Sequence, residues 1–127
     1  MNSLKLLHLG IINRSEQEAE TFYDKLLGLK KLYDFEIEAD LSARLFSYPE
    51  QLKVLVYGSD SIKIEIIILE DFSLTSPSVQ HTCIQVDNLE RFIKNAAGLN
   101  AEIISAERNG KILYFVKDFS GNLFEIK

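Results

Sequence analysis

The stretch that decides the fold is the C-terminal run Lys117-Asp118-Phe119-Ser120-Gly121-Asn122-Leu123-Phe124-Glu125-Ile126. Asp118, Ser120, Gly121 and Asn122 spell a turn, because glycine accepts positive φ and Asp or Asn side chains close a loop on their own backbone. A strand therefore starts at about Leu123. Its alternation sends Phe124 and Ile126 to one face and Leu123 and Glu125 to the other. A carboxylate is thus set among apolar residues, where burial is costly unless it is paired, protonated or bound to a cation. Glu125 therefore needs a partner from elsewhere in the chain.

The same pattern recurs sixty residues earlier. Ile62 to Leu69 is rich in β-branched residues and reads as a strand, with Ile64, Ile66 and Ile68 on one face and Glu65 and Ile67 on the other. Upstream of each acidic strand lies a β-rich run with one histidine: Ser3 to Ile12 holds His8, and Val79 to Val86 holds His81. After the first, Ser15 and Glu18 form a capping box. Apolar Ala19, Phe22, Tyr23, Leu26 and Leu27 then predict a helix over about 16–27 that stops at Gly28. After the second, Asp87 or Asn88 caps a helix carrying Leu89, Phe92, Ile93 and Ala96, ended by Gly98. Strands are expected at Leu29 to Ile37, Leu52 to Tyr57, Ala101 to Ala106 and Lys111 to Val116, with an Asn109-Gly110 hairpin turn between the last two. Asp40 to Phe46, with Leu41 and Leu45 one turn apart and Pro49 following, predicts an extra short helix capped by Asp40.

Each half reads strand, helix, strand, strand, strand, which is a duplication. The expected fold is α+β: two βαβββ modules forming a curved mixed sheet or half-barrel cleft, in one domain over 1–127. Module one covers about 1–70, a linker about 71–78, and module two about 79–127. His8 and Glu65 lie 57 positions apart and His81 and Glu125 lie 44 apart; the excess matches the inserted helical segment. If the first and last strands of each module are neighbours, His8 meets Glu65 and His81 meets Glu125. Two half-cups facing each other then bring two imidazoles and two carboxylates together. That donor set suits a divalent cation such as zinc, nickel, iron or manganese. The chain has no other histidine.

Composition narrows the classes. At 127 residues, 46% hydrophobic and 26% charged, the chain is long enough for one real core and is not a disordered polymer. A net charge of −5 with no local basic run argues against nucleic acid. The single cysteine, Cys83, rules out an internal disulfide framework and favours a reducing compartment. As a small apolar residue it is expected to be buried. The apolar N-terminal run contains Lys5 and His8 and reads as a buried strand, so no membrane span is expected and the location is taken as cytoplasmic. The aromatics Phe46, Tyr48, Tyr57 and Tyr114 are assigned to the core in preference to a pocket.

Five pieces in order carry a family resemblance: Lys5-Leu6-Leu7-His8; Phe22-Tyr23 through Leu27-Gly28-Leu29; Ile64-Glu65; His81 through Val86-Asp87-Asn88-Leu89; and Phe115-Val116-Lys117-Asp118 through Gly121-Asn122-Leu123-Phe124-Glu125. Together they resemble the vicinal oxygen chelate superfamily. It includes glyoxalase I, methylmalonyl-CoA epimerases, extradiol dioxygenases and the fosfomycin and bleomycin resistance proteins. The resemblance implies metal ligands at His8, Glu65, His81 and Glu125, a set similar to that of glyoxalase I. It also implies a small-molecule substrate, a homodimer, and a site built within one chain or across two. The implied chemistry is proton transfer beside a metal-bound carbonyl, as in a glyoxalase-like lyase, isomerase or epimerase, with Glu125 or Glu65 as the catalytic proton carrier. A metal-free ligand-sequestering protein of the bleomycin resistance kind and an iron-dependent extradiol dioxygenase are the alternatives. Ile12 stands where glyoxalase I carries an arginine that holds glutathione, and Asp118-Phe119-Ser120-Gly121 replaces the usual Asp-Pro-Asp-Gly.

Overall fold

The computed structural model describes residues 3–72 and 79–127, so most of the expected 71–78 linker lies outside the described residues. The element order is β1 (Leu9–Asn13), α1 (Glu16–Ala19) continuing directly as a π-helical segment (Glu20–Leu26), β2 (Lys30–Ile37), α2 (Ala39–Phe46), β3 (Leu52–Gly58), β4 (Lys63–Ile68), β5 (His81–Ile84), α3 (Leu89–Gly98), β6 (Glu102–Arg108), β7 (Lys111–Lys117) and β8 (Leu123–Ile126). They build two open four-stranded mixed sheets, ordered β1-β4-β3-β2 and β5-β8-β7-β6. In each the outer strand that follows the chain's entry, β1 or β5, pairs in parallel with the module's last strand. The duplication expected from element order is thus repeated in topology.

Local chemistry accounts for the boundaries. The Ser15 hydroxyl accepts the Glu18 N–H at 3.1 Å, while the Glu18 carboxylate faces Arg14 at 3.3 Å, so the capping box is half formed. The helix ends in i→i−5 geometry, with the Leu27 N–H bonded to the Phe22 carbonyl at 2.9 Å, and Gly28 at φ 73° reverses the chain. The capping residue of α2 is Glu38 and not Asp40, which lies inside its first turn, and Ser47 at φ 56° closes it. Asn88 caps α3 by accepting the Arg91 N–H at 2.9 Å. Gly98 is still helical; the left-handed residue that ends this turn is Asn100, at φ 61°. Asn109 and Gly110, at φ 53° and 76°, make the expected tight hairpin.

The first strand is shorter than its sequence suggests. Residues Ser3 to His8 lie outside β1 and are exposed. The cause is register: Leu9 pairs with Ile64 and β4 begins at Lys63, after a turn in which the Ser59 N–H bonds the Ile62 carbonyl. His8 falls opposite Lys63, and upstream of Lys63 no strand is left for Ser3 to Leu7 to pair with.

One core serves both modules. Phe22, Tyr23 and Leu26 from the first helical segment and Phe92 and Ala96 from α3 pack with Leu55, Tyr57, Ile64 and Ile66 of one sheet and Val116, Phe124 and Ile126 of the other. Phe22 and Phe124 stack with ring centroids 5.7 Å apart, and Tyr23 lies 6.1 Å from both Tyr57 and Phe124. A fully buried aromatic of this kind contributes roughly 1.5–3 kcal/mol. The helix of module one is therefore anchored on the last strand of module two. Of the four aromatics assigned to the core, Tyr57 is 2% exposed, whereas Phe46 is 48% exposed on α2; Tyr48 and Tyr114 are half-buried.

Candidate metal centre

The C-terminal turn from Asp118 to Asn122 is the joint between modules. Oδ1 of Asp118 accepts the N–H groups of Ser120 and Asn122, both at 2.9 Å, and Gly121 sits at φ 93°. Oδ2 accepts three more bonds: from the Tyr23 hydroxyl at 2.6 Å, Asn122 Nδ2 at 2.8 Å and Asn13 Nδ2 at 2.9 Å. Asn122 Nδ2 also donates to the Ile12 carbonyl at 2.7 Å, and the Arg14 N–H donates to the Ser120 hydroxyl at 3.0 Å. The end of β1 is thereby tied to the start of β8. Burial and the neighbouring Asp118 charge push the Tyr23 phenol well above its ordinary value, so it serves as a donor. The sequence places Tyr23 only among the apolar positions of the first helix. The signal available was that a buried tyrosine hydroxyl needs a partner.

The joint positions two acidic strands whose carboxylates have equivalent settings. Glu65 is in register with Gly10 of β1, and Glu125 with Cys83 of β5. In each module the histidine lies two residues before that partner, on the same face as the carboxylate. His8 Nε2 is 3.5 Å from Glu65 Oε1, and His81 Nε2 is 3.7 Å from Glu125 Oε1. The carboxylates are mostly covered, with side chains 21% and 18% exposed, while the imidazoles are open at 47% and 41%. His81 Nδ1 lies 2.9 Å from the Val79 carbonyl, a contact that places the proton on Nδ1 and leaves the Nε2 lone pair free for a metal. The His81 ring also meets Phe115 edge-on, with centroids 5.8 Å apart.

The structure brings the four sequence-assigned residues together in two pairs. Among the described residues no three or more His, Cys, Asp or Glu side chains converge on one point within the chain. Cys83, expected to be buried, is exposed. The apolar residues of β5 turn inward and the strand lies at the sheet edge, so its other face is open. Two cavities run beside the outer strands. One, of about 350 Å³, lies among Leu9–Ile12, His81 and Asn122–Phe124; the other, of about 400 Å³, lies among Lys5–Leu9, Ser59–Lys63 and Thr82–Ile84. No helix among the described residues is long and apolar enough to cross a membrane.

The fold has well-populated company. The fosfomycin resistance protein FosX from Mesorhizobium loti superposes with a TM-score of 0.70 at 16% identity, over 96% of this chain and 89% of that one. FosX from Listeria monocytogenes, solved with Mn(II) and sulfate, gives 0.71 at 19% identity over 99% and 92%. The trypanothione-dependent glyoxalase I of Leishmania major gives 0.70 at 17% identity over 98% and 86%. At such identities the likeness establishes the fold. No curated protein matches the sequence significantly. The model of the Glyoxalase/Bleomycin resistance protein/Dioxygenase superfamily matches residues 5–126, nearly the full length, and the chain belongs to that superfamily.

Proposed function

We propose that this chain is the subunit of a metal-dependent enzyme acting on a small molecule with adjacent oxygens. Each metal is held by His8 and Glu65 of one copy and His81 and Glu125 of a second. The observation that carries the reading is the equivalence of the two half-sites: the same register, the same face, and His–Glu separations of 3.5 and 3.7 Å. Two nitrogen and two oxygen donors from paired halves make a four-donor set for zinc, nickel, iron or manganese. A two-fold axis relating two chains repeats the pairing and yields two identical sites. Leu6 and Leu7, 78% and 71% exposed, flank His8, and Val79, 85% exposed, precedes His81; a second copy would cover them.

Bound there, a divalent cation supplies Lewis-acid polarisation of a substrate carbonyl. The chain's own contribution is a carboxylate base. Glu65 or Glu125 takes the proton from the carbon next to the carbonyl; returned to the neighbouring carbon it gives isomerase or glyoxalase-like lyase chemistry, and returned to the opposite face of the same carbon it gives epimerisation. Both carboxylates keep part of their surface, 21% and 18% of the side chain, open to a bound substrate.

Tag-free protein is expected to contain about one metal per chain. Subunit complementation tests the shared site. His8→Ala and His81→Ala chains are each expected to lose the metal, but unfolded and refolded together they should recover about one quarter of the wild-type content. Half of the dimers are mixed, and each mixed dimer has one intact site of two. Recovery of nothing on mixing, with both variants dimeric, would overturn the shared arrangement.

A further inference from the structure

Strand register shows what surrounds each carboxylate. Residues paired across a sheet share a face. On the Glu65 side, Val56 and then Tyr33 lie in its own row, and Ile67, Val54 and Phe35 lie in the next row. Val54 and Val56 are wholly buried, Phe35 and Ile67 are half-buried, and Tyr33 is 49% exposed. Tyr33 and Phe35 have centroids 6.3 Å apart, and Lys63 Nζ lies 6.0 Å from the Tyr33 ring. On the Glu125 side, Phe115 and then Ile104 occupy the equivalent row. The two carboxylates thus stand at the edge of apolar walls, each with an aromatic ring in its own row. The Tyr33 hydroxyl is the sole hydrogen-bonding group among these seven wall residues. A hydroxyl-rich substituent laid on them would lose its hydration without replacement.

We propose that the substrate carries an apolar substituent, aromatic or branched aliphatic, on the carbon beside its paired oxygens, seated against Tyr33, Phe35 and Phe115; this rests on the metal-site reading above. Hydroxamic acids provide the test, because they present two adjacent oxygens to a metal and differ only in the substituent. Titration of the Mn(II)-loaded protein is expected to show benzohydroxamate binding roughly 30-fold more tightly than acetohydroxamate, the scale of several additional buried carbons. Tyr33→Ser, at a half-exposed position that the fold tolerates, should lower that ratio at least threefold. Affinities within twofold of each other, or a ratio unmoved by Tyr33→Ser, would overturn the substituent proposal while leaving the metal site standing. If the protein takes up no Mn(II) and binds neither acid, the metal-site reading itself fails, and the proposal fails with it.

Discussion

Replacing Asp118 by Asn removes one charge and exchanges one oxygen for an NH2 group at the joint between the modules. The residue is 4% exposed and accepts five hydrogen bonds. An Asn that keeps Oδ1 facing the Ser120 and Asn122 N–H groups turns its own NH2 towards three donors. Bonds to a charged acceptor are worth about 1.5–3 kcal/mol each. The Tyr23 hydroxyl can rotate and accept instead, which recovers part of one. Flipping Asn13 or Asn122 recovers another only by giving up a bond to the Ile12 carbonyl, at 3.0 and 2.7 Å respectively. The net loss is expected to be about 3–4 kcal/mol, a large share of the roughly 5–15 kcal/mol typical of a domain. Equilibrium urea unfolding followed by two probes reads it as a lower midpoint with an unchanged slope. A loss below about 1 kcal/mol would refute the claim that this carboxylate ties β1 to β8.

Three further expectations follow from the same geometry. Above about pH 10 the unfolded chain ionises Tyr23 while the folded chain holds it neutral, so stability present below that pH falls as pH rises, by about 1.4 kcal/mol per unit. Tyr23→Phe should make that alkaline decline shallower in unfolding measured from pH 8 to 11; an unchanged slope would count against the buried phenol as its source. Part of the decline persists in the variant, because burial, with Glu20 and Asp24 nearby, raises Tyr57 as well. Gly28→Ala should cost about 1 kcal/mol by thermal or urea unfolding, since φ is 73° and, its chain neighbours aside, no described atom lies within 4 Å of the added Cβ, leaving backbone strain as the main effect. Glu65→Gln and Glu125→Gln should each weaken metal retention in dialysis by at least tenfold, and turnover with full activity in both would exclude a carboxylate proton carrier.

Much of this protein is written in short-range pattern. The acidic strands with their alternating isoleucines, the Gly28 stop, the Asn109-Gly110 turn and the order of elements are local consequences of side-chain shape and backbone preference, so the duplication and its four metal-ligand candidates could be read directly. The inward and outward sides of Glu65 and Glu125 followed from alternation alone. Non-local contacts set the features that local pattern does not show. Ser3 to His8 has strand composition, yet it lies outside β1 because the partner strand starts only at Lys63. Cys83 has the character of a buried residue, yet an edge strand leaves its face open. Likewise, Asp118 reads as turn chemistry, and its bonds to Tyr23 and Asn13, 95 and 105 positions away, depend on how the modules pack.

The order of residues alone marks four metal-ligand candidates and the strand faces of Glu65, His81 and Glu125, because alternation is set within a few residues. Their assembly as two separate pairs comes from packing, since the shared aromatic core and the Asp118 joint hold the two sheets as open neighbours. The distance between those sheets is a property of packing, and no local preference encodes it.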